Sequence, residues 1–301
     1  MGMAGRRRIV VVGAPSSAGS YAAGQEQAPR VLRERGIVER LRERGHDVTD
    51  GGDGPLQVWA PDAAHPLAQN VGQVIASVTD VDARVGEALD DGAHVLVLGG
   101  SCLVALGVMS ALTARAPDAG LVYMDRHSDL NTPETTTDGA LDWMGLAHLL
   151  DVPGIVRELR DALRTTPVLT PDRVHLFGVD PAATTGGERR IRDTLGLSVT
   201  TGTQVAADPR AAAESALAAY GPGPLAVHLD VDVLDFTDAP LAEDTGGRNS
   251  GPALAEAAEA LAVLCRDPRF RVLSVGELNP TRSVGESRAI DRFVDALARA
   301  L

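Results

Sequence analysis

Short apolar, β-branched runs alternate with longer stretches in which apolar residues recur at three- and four-residue spacing, from Ile9 almost to Leu301. That alternation is the mark of βαβ units, and it restricts the chain to an α/β fold with a mostly parallel sheet. The pattern predicts strands over Arg8–Gly13, Asp47–Asp50, His94–Leu98, Gly120–Asp125, Arg173–Gly178, Leu197–Thr200, Leu225–Asp230 and Arg271–Glu277. It predicts helices over Ala28–Arg44, Leu67–Asp90, Leu103–Ala114, Gly154–Arg164, Pro209–Tyr220, Pro252–Asp267 and Glu286–Leu301. Strands in this number close into a barrel or lie in an open sheet, and periodicity does not choose between them. In both arrangements ligands collect at the carboxyl ends of the strands. Four polar clusters fall there: Gly99-Gly100-Ser101-Cys102, Asp125-Arg126-His127-Ser128-Asp129, Asp230-Val231-Asp232 with Asp235, and Glu277-Leu278-Asn279-Pro280.

Composition narrows the chemistry. All 28 basic residues are Arg. Without a lysine amine the chain cannot be a Schiff-base or pyridoxal-phosphate enzyme or a P-loop nucleotidase. A formal net charge of −13 repels phosphate backbones and anionic lipid surfaces, so neither nucleic acid nor a membrane is an expected partner. The same charge suits a solvated acidic face, or carboxylates gathered around cations. Cys102 and Cys265 are too few for a disulfide scaffold, which points to a reducing cytoplasm. The basic start, Met1 to Arg8, passes directly into Ile9-Val10-Val11-Val12 with no signal-type apolar run. Ala93–Leu112 is long and apolar but carries His94, Gly99, Gly100 and Ser101, so it reads as strand, turn and helix rather than a membrane span. No repeat or linker divides the chain, and residues 1–301 read as one domain.

Asp125, His127 and Asp129 alternate along one extended segment, so the period-two geometry sends all three side chains to one side. Asp230 and Asp232 do the same. Four carboxylates at one sheet end cannot all ionise unless cations are bound among them. Either D-x-D alone would also suit a surface turn or a helix cap; both pairs at strand ends, with a histidine interleaved, favour metal. Gly13–Gly19 lacks both the GxGxxG spacing and a P-loop lysine, and in Gly246–Gly251 the reading is a helix cap, with Ser250 as N-cap and Pro252 in the first turn.

Several segments then match a family pattern in order. Gly13-Ala14-Pro15, Gly24, Ala28-Pro29, Leu32-Arg33, Gly36 and Asp50-Gly51-Gly52-Asp53 open the chain. Asp125-Arg126-His127-Ser128-Asp129-Leu130-Asn131-Thr132-Pro133 is similar to D-A-H-x-D-x-N-T-P, His228-Leu229-Asp230-Val231-Asp232-Val233-Leu234-Asp235 to S-x-D-x-D-x-x-D, and Glu277-Leu278-Asn279-Pro280-Thr281 to E-x-N-P-T. Over nearly its whole length the chain resembles the ureohydrolase superfamily of arginases, agmatinases and formiminoglutamases, arginase most closely. The resemblance implies a three-layer αβα domain with a central, mostly parallel sheet of about eight strands, assembled into trimers or hexamers. It also implies two manganese ions bridged by hydroxide, and hydrolysis of a C–N bond of a small guanidino or formimino substrate to give urea or a urea-like product and an amine. Carried over, Asp125, Asp129 and Asp230 hold one metal, and Asp125, His127, Asp230 and Asp232 the other. Asp129 also orients the hydroxide, and Glu277 accepts hydrogen bonds from the substrate guanidinium.

The departures are as informative. Where the family has G-G-D-H-S this chain has Gly99-Gly100-Ser101-Cys102-Leu103, so a cysteine stands for the first metal's histidine. A thiolate ligand favours zinc or iron relative to manganese; the alternative is a buried residue starting a helix. Asp142 stands where the family places a proton-transferring histidine, and a desolvated carboxylate can fill that role, or cap a helix. Arg126 replaces a small residue and points away from Asp125 and His127 toward an acid that sequence does not identify. Asp180 resembles the family aspartate that reads a substrate amino group, or is a turn residue before Pro181. His228 occupies the signature's serine position, as a residue behind the ligands or a core histidine. Asn131 resembles a group that holds the substrate carboxylate, and Asp138 occupies the matching serine position. An anion at Asp138, with Glu243 and Asp244 nearby, disfavours L-arginine and favours a cationic or hydroxylated tail. The alternatives to an amidinohydrolase of this kind are a non-catalytic relative serving as an assembly or binding module, and a formiminoglutamase-like or hydroxyguanidine-specific hydrolase. A scaffold has no need of clustered carboxylates, which favours the enzymes.

Overall fold

The computed structural model describes residues 6–136, 138–283 and 287–301. Eight strands form one sheet: β1 Arg8–Ala14, β2 Asp47–Asp53, β3 His94–Gly99, β4 Gly120–Met124, β5 Val174–Val179, β6 Ser198–Thr201, β7 Leu225–Asp230 and β8 Phe270–Gly276. Their order is β2-β1-β3-β8-β7-β4-β5-β6, and every pairing is parallel. The sheet is therefore open, and each strand expected from the sequence is present within a few residues of its expected bounds.

Between the strands run α1 Ala28–Glu34, α2 Ile37–Glu43, α3 Val71–Asp90, α4 Val104–Arg115, α5 Gly145–Leu149, α6 Arg157–Asp161, α7 Gly186–Leu195, α8 Gly202–Ala207, α9 Pro209–Ala218, α10 Leu254–Arg266 and α11 Ser287–Ala300. The strands' alternation feeds two cores, one on each face of the sheet. Ile9, Val11, Leu96, Leu98, Val227 and Leu273 pack with α1, α2, α8, α9, α10 and α11. Val12, Val95, Val97, Leu121, Tyr123 and Val272 pack with α3, α4, α5 and α6, and with Ile191 and Leu195 of α7. A sheet buried on both faces needs apolar residues at both parities, which is why these strands read as unbroken apolar runs.

Three helix expectations change. The helix over Ala28–Arg44 is two, because Gly36 adopts a left-handed conformation (φ 82°) that ends one and starts the next. The helix expected from Leu67 begins at Val71, after Asn70 at φ 55°. Gly154–Arg164 shrinks to α6. Of the helix expected over Glu286–Leu301, Glu286 lies outside the described residues. Ser250 does not cap α10; its hydroxyl instead donates to Asp180 Oδ2 at 3.2 Å. No helix among the described residues is long and apolar enough to cross a membrane.

Candidate active site

The four central strands β3, β8, β7 and β4 end side by side, and the polar clusters follow directly: Cys102 after β3, Glu277 after β8, Asp230 closing β7 with Asp232 beyond it, and Asp125, His127 and Asp129 after β4. This is the carboxyl edge of a parallel sheet, where ligands bind in such folds. A narrow cleft lies there, lined by Tyr21, Cys102, His127, Asp129, Asp142, Trp143, Asp230, Asp232, Asp244 and Glu277. Tight backbone packing shapes its floor: a Cβ on Gly100 would sit 1.8 Å from Ser16 O. Asp129 and Glu277 hold left-handed backbone conformations, φ 47° and 64°, which side-chain-bearing residues rarely adopt and which mark a constrained site.

Cys102 donates its thiol to Asp230 Oδ2 at 2.7 Å and its backbone N–H to Glu277 Oε1 at 2.9 Å. Gln25 Nε2 donates to the other Glu277 oxygen. His127 Nδ1 lies 2.9 Å from Asp232 Oδ2, and its backbone N–H donates to Asp125 Oδ1. Tyr123, buried beneath, donates its hydroxyl to Asp129 Oδ2 at 2.5 Å. Trp143 stands edge-on to the His127 ring, with centroids 5.4 Å apart, and stacks on Tyr21 at the mouth.

Burial and mutual repulsion set the electrostatics. Burial pushes the Asp125 carboxyl up to about 6, with the Asp232 charge adding to it. Burial, then neighbouring carboxylates, pushes Asp129 and Asp230 up; for Glu277 the second contributor is Asp142. The Cys102 thiol rises for the same reasons, burial first and the charges of Asp230 and Glu277 next. Asp232 is the exception: burial works against its charge, but the imidazolium of His127 holds it below the usual carboxylate range. Burial lifts Asp142 to about 7.

Such a cluster fits divalent cations, which would remove the repulsion. Asp125 Oδ2 is buried with no hydrogen-bond partner. Cys102, Asp125 and Asp129 offer donor atoms within 4.8 Å of one another, as do Asp125, His127 and Asp232.

The residues carried over for substrate are distributed differently. Glu277 and Asp142 line the cleft; Asn131, Asp138 and Asp180 do not. Asn131 is buried, its Oδ1 accepting from Thr135 and Thr185. Asp138 is exposed and accepts the Ala140 N–H at 3.1 Å, as a turn residue does. Asp180 pairs with Arg126, Nη2 to Oδ2 3.3 Å, and Arg126 Nη1 reaches Asp244 Oδ2 at 3.4 Å. These are the acids that sequence did not identify for Arg126. Buried Glu243 is neutralised by Arg282, Nη2 to Oε1 2.5 Å, which leaves Asp244 as the acid of this group on the cleft wall. Gln25, Tyr123, Tyr21 and Trp143 were not singled out from sequence. Gln25 lies inside the matched opening between Gly24 and Ala28, and that was the only signal for any of them.

Comparison with known proteins agrees with this geometry. The chain matches the Arginase family over residues 7–298. It is 34% identical to arginase-1 of Homo sapiens over 203 residues, 66% of this chain and 62% of that protein, so the match spans less than two thirds of the relative's length. Among solved structures it resembles the arginase of Bacillus subtilis, with a TM-score of 0.86 at 25% identity and 98% of each chain covered. It also resembles the Trypanosoma cruzi formiminoglutamase solved with Mn2+, with a TM-score of 0.74 at 19% identity over 97% of this chain and 94% of the other. A parallel α/β sheet whose central strand ends present a buried carboxylate cluster is the architecture of the ureohydrolases. Within them, the chain belongs to the arginase family.

Proposed function

We propose that this protein is a divalent-metal-dependent amidinohydrolase that cleaves a C–N bond of a linear guanidino or formimino compound, releasing urea or a urea-like product and an amine. The observation that carries the reading is the convergence of Cys102, Asp125, His127, Asp129, Asp230 and Asp232 from adjacent strand ends, with Asp125 Oδ2 buried and unpaired. Cys102, Asp125, Asp129 and Asp230 would hold one ion, and Asp125, His127, Asp230 and Asp232 the other. Two such ions, when bound, supply an acidified water and a polarised substrate nitrogen or carbon centre at neutral pH.

The chain's own groups do the rest. Glu277, its carboxylate fixed by Gln25 and the Cys102 N–H, presents a planar acceptor that matches a guanidinium fork. Asp129, anchored by Tyr123, is placed to orient the attacking water. Asp142, with its carboxyl raised to about 7, holds a proton that it can pass to the departing amine. Trp143 and Tyr21 narrow the mouth and limit water entry. On the substrate tail, Arg126 already occupies Asp180 and shares Asp244, so an amine there competes with a built-in guanidinium; this disfavours L-arginine as substrate on grounds independent of Asp138. Metal-stripped protein reloaded with manganese, zinc or iron(II), assayed for urea and ammonia release across guanidino and formimino compounds, tests the proposal. Metal-dependent release is expected; no release with any metal overturns it.

A further inference from the structure

His228 lies two residues before Asp230 on β7, so both side chains leave the same face of the sheet, the histidine one pleat beneath the aspartate. Its register neighbours are Tyr123 on β4 and Ser274 on β8. The imidazole stacks on the Tyr123 ring with centroids 4.8 Å apart, and its Nδ1 lies 2.9 Å from Ser274 Oγ. The ring is fully buried and fixed on two sides. Its other nitrogen, Nε2, is buried with no hydrogen-bond partner, and an unsatisfied polar atom in a folded interior calls for an explanation such as a bound ion. A ring nitrogen of His228, Cys102 Sγ and an Asp230 carboxylate oxygen lie within 4.8 Å of one another, and of the two ring nitrogens Nε2 is the one left without a partner. Gly276 allows the approach: a Cβ there would meet His228 Cε1 at 3.1 Å and Cys102 Cα at 3.2 Å.

We propose that His228 is a metal ligand, its Nε2 joining Cys102 and Asp230 in a thiolate–imidazole–carboxylate site that takes zinc or iron(II) in preference to manganese. The inference rests on the reading of the cleft as a metal centre and adds a donor that the sequence comparison does not assign. A zinc ion bonded to a thiolate at about 2.3 Å and an imidazole at about 2.0 Å holds those donors within the spacing seen here after small side-chain adjustment. Ser274 would serve as the partner that orients the ring, holding the proton on Nδ1 so that Nε2 keeps its lone pair. The cysteine and histidine together make this end of the centre softer than the Asp125, His127 and Asp232 end, so the two ends should differ in metal preference.

Metal-stripped full-length protein titrated with cobalt(II), zinc and manganese tests this. Wild type should show a thiolate-to-cobalt charge-transfer band that stoichiometric zinc abolishes and excess manganese does not. In His228→Gln the band should persist while zinc affinity falls at least about 100-fold and manganese affinity less than about tenfold. Equal losses for the two metals, or none, overturn the assignment. Should that variant fail to fold, X-ray absorption of His127→Ala carrying one zinc per chain decides the question. Imidazole scattering together with sulfur supports the proposal, since His127 has been removed; sulfur without imidazole overturns it. A wild type that binds no metal of any kind overturns the metal-centre reading itself.

Discussion

Cys102 Sγ lies 2.7 Å from Asp230 Oδ2 and 3.2 Å from Glu277 Oε1, so one thiol touches both a metal-type carboxylate and the acid assigned to the substrate. A family histidine would bring no charge to this position, whereas a metal-bound thiolate brings one. Cys102→Ser should therefore lower bound zinc or iron far more than Cys265→Ser, whose thiol is buried on α10 away from the cleft. Cys102 should resist alkylation in the metal-loaded protein and react after chelation. Equal alkylation rates in the two states would remove it from the ligand set.

Asp142 makes stability of the metal-free protein depend on pH. Its folded carboxyl stands near 7, above the ordinary 3.8, because burial penalises the charge. A raised folded value means that the contribution is intact at acid pH and is lost as pH climbs through about 7. The metal-free melting temperature should thus fall as pH rises from about 4 through about 7, and Asp142→Asn should flatten that slope. If Asp142 also passes the proton, the same variant lowers kcat by about 10²- to 10⁴-fold. A flatter slope with unchanged kcat would leave Asp142 with a structural role only.

Tyr123→Phe removes the hydroxyl that Asp129 accepts while keeping the ring beneath His228. Leaving that buried carboxylate oxygen without its donor should cost about 1–3 kcal/mol of stability in the metal-free protein. Metal affinity should drop about 10- to 100-fold, as for other groups that orient a ligand. Denaturant melts and metal titrations of the two proteins measure both quantities.

Chelation should lower the melting temperature as well as activity, since ions held by Asp125, Asp129, Asp230 and Asp232 would bind only their folded arrangement. Adding manganese, zinc or iron(II) back should restore it. No melting shift with any of the three would contradict a metal centre.

Arg126→Ala releases Asp180 and Asp244 from their shared guanidinium. KM for a guanidine bearing an amine tail should then fall about tenfold, equivalent to about 1.4 kcal/mol, while a neutral-tailed guanidine changes little. Asp138→Ser, at an exposed turn outside the cleft lining, should leave kcat/KM within about twofold. An unchanged amine-tail KM in Arg126→Ala would show that neither Asp180 nor Asp244 reads the substrate tail.

The strands were legible because residues such as Val95–Leu98 and Leu121–Met124 must be apolar on both faces, a pattern that few other environments produce. The metal-type cluster was legible because its donors come in D-x-D pairs at strand ends. Helix α7 was not, since its apolar face is only Ile191 and Leu195, too short a stripe to stand out among its charged residues; the Thr185–Glu188 capping box was the other signal. Asp138 falls outside the cleft lining, because spacing along a loop does not fix which way a side chain faces; its carboxylate closes a local turn. The Gln25–Glu277 contact joins residues 252 apart, and only the assembled sheet brings them together.

The strand order has a consequence for biosynthesis. Among the described residues β8 is the last strand in chain order, yet it occupies the middle of the sheet, between β3 and β7. Until Phe270–Gly276 emerges from the ribosome, the chain carries two separate three- and four-stranded halves, each with an apolar inner edge that has no neighbour. Cys102 belongs to one half, and Asp125 and Asp230 to the other, so the cleft cannot exist on a nascent chain. The cleft closes only once β8 is in place, and a polypeptide truncated before β8 should be prone to aggregate and unable to assemble the centre.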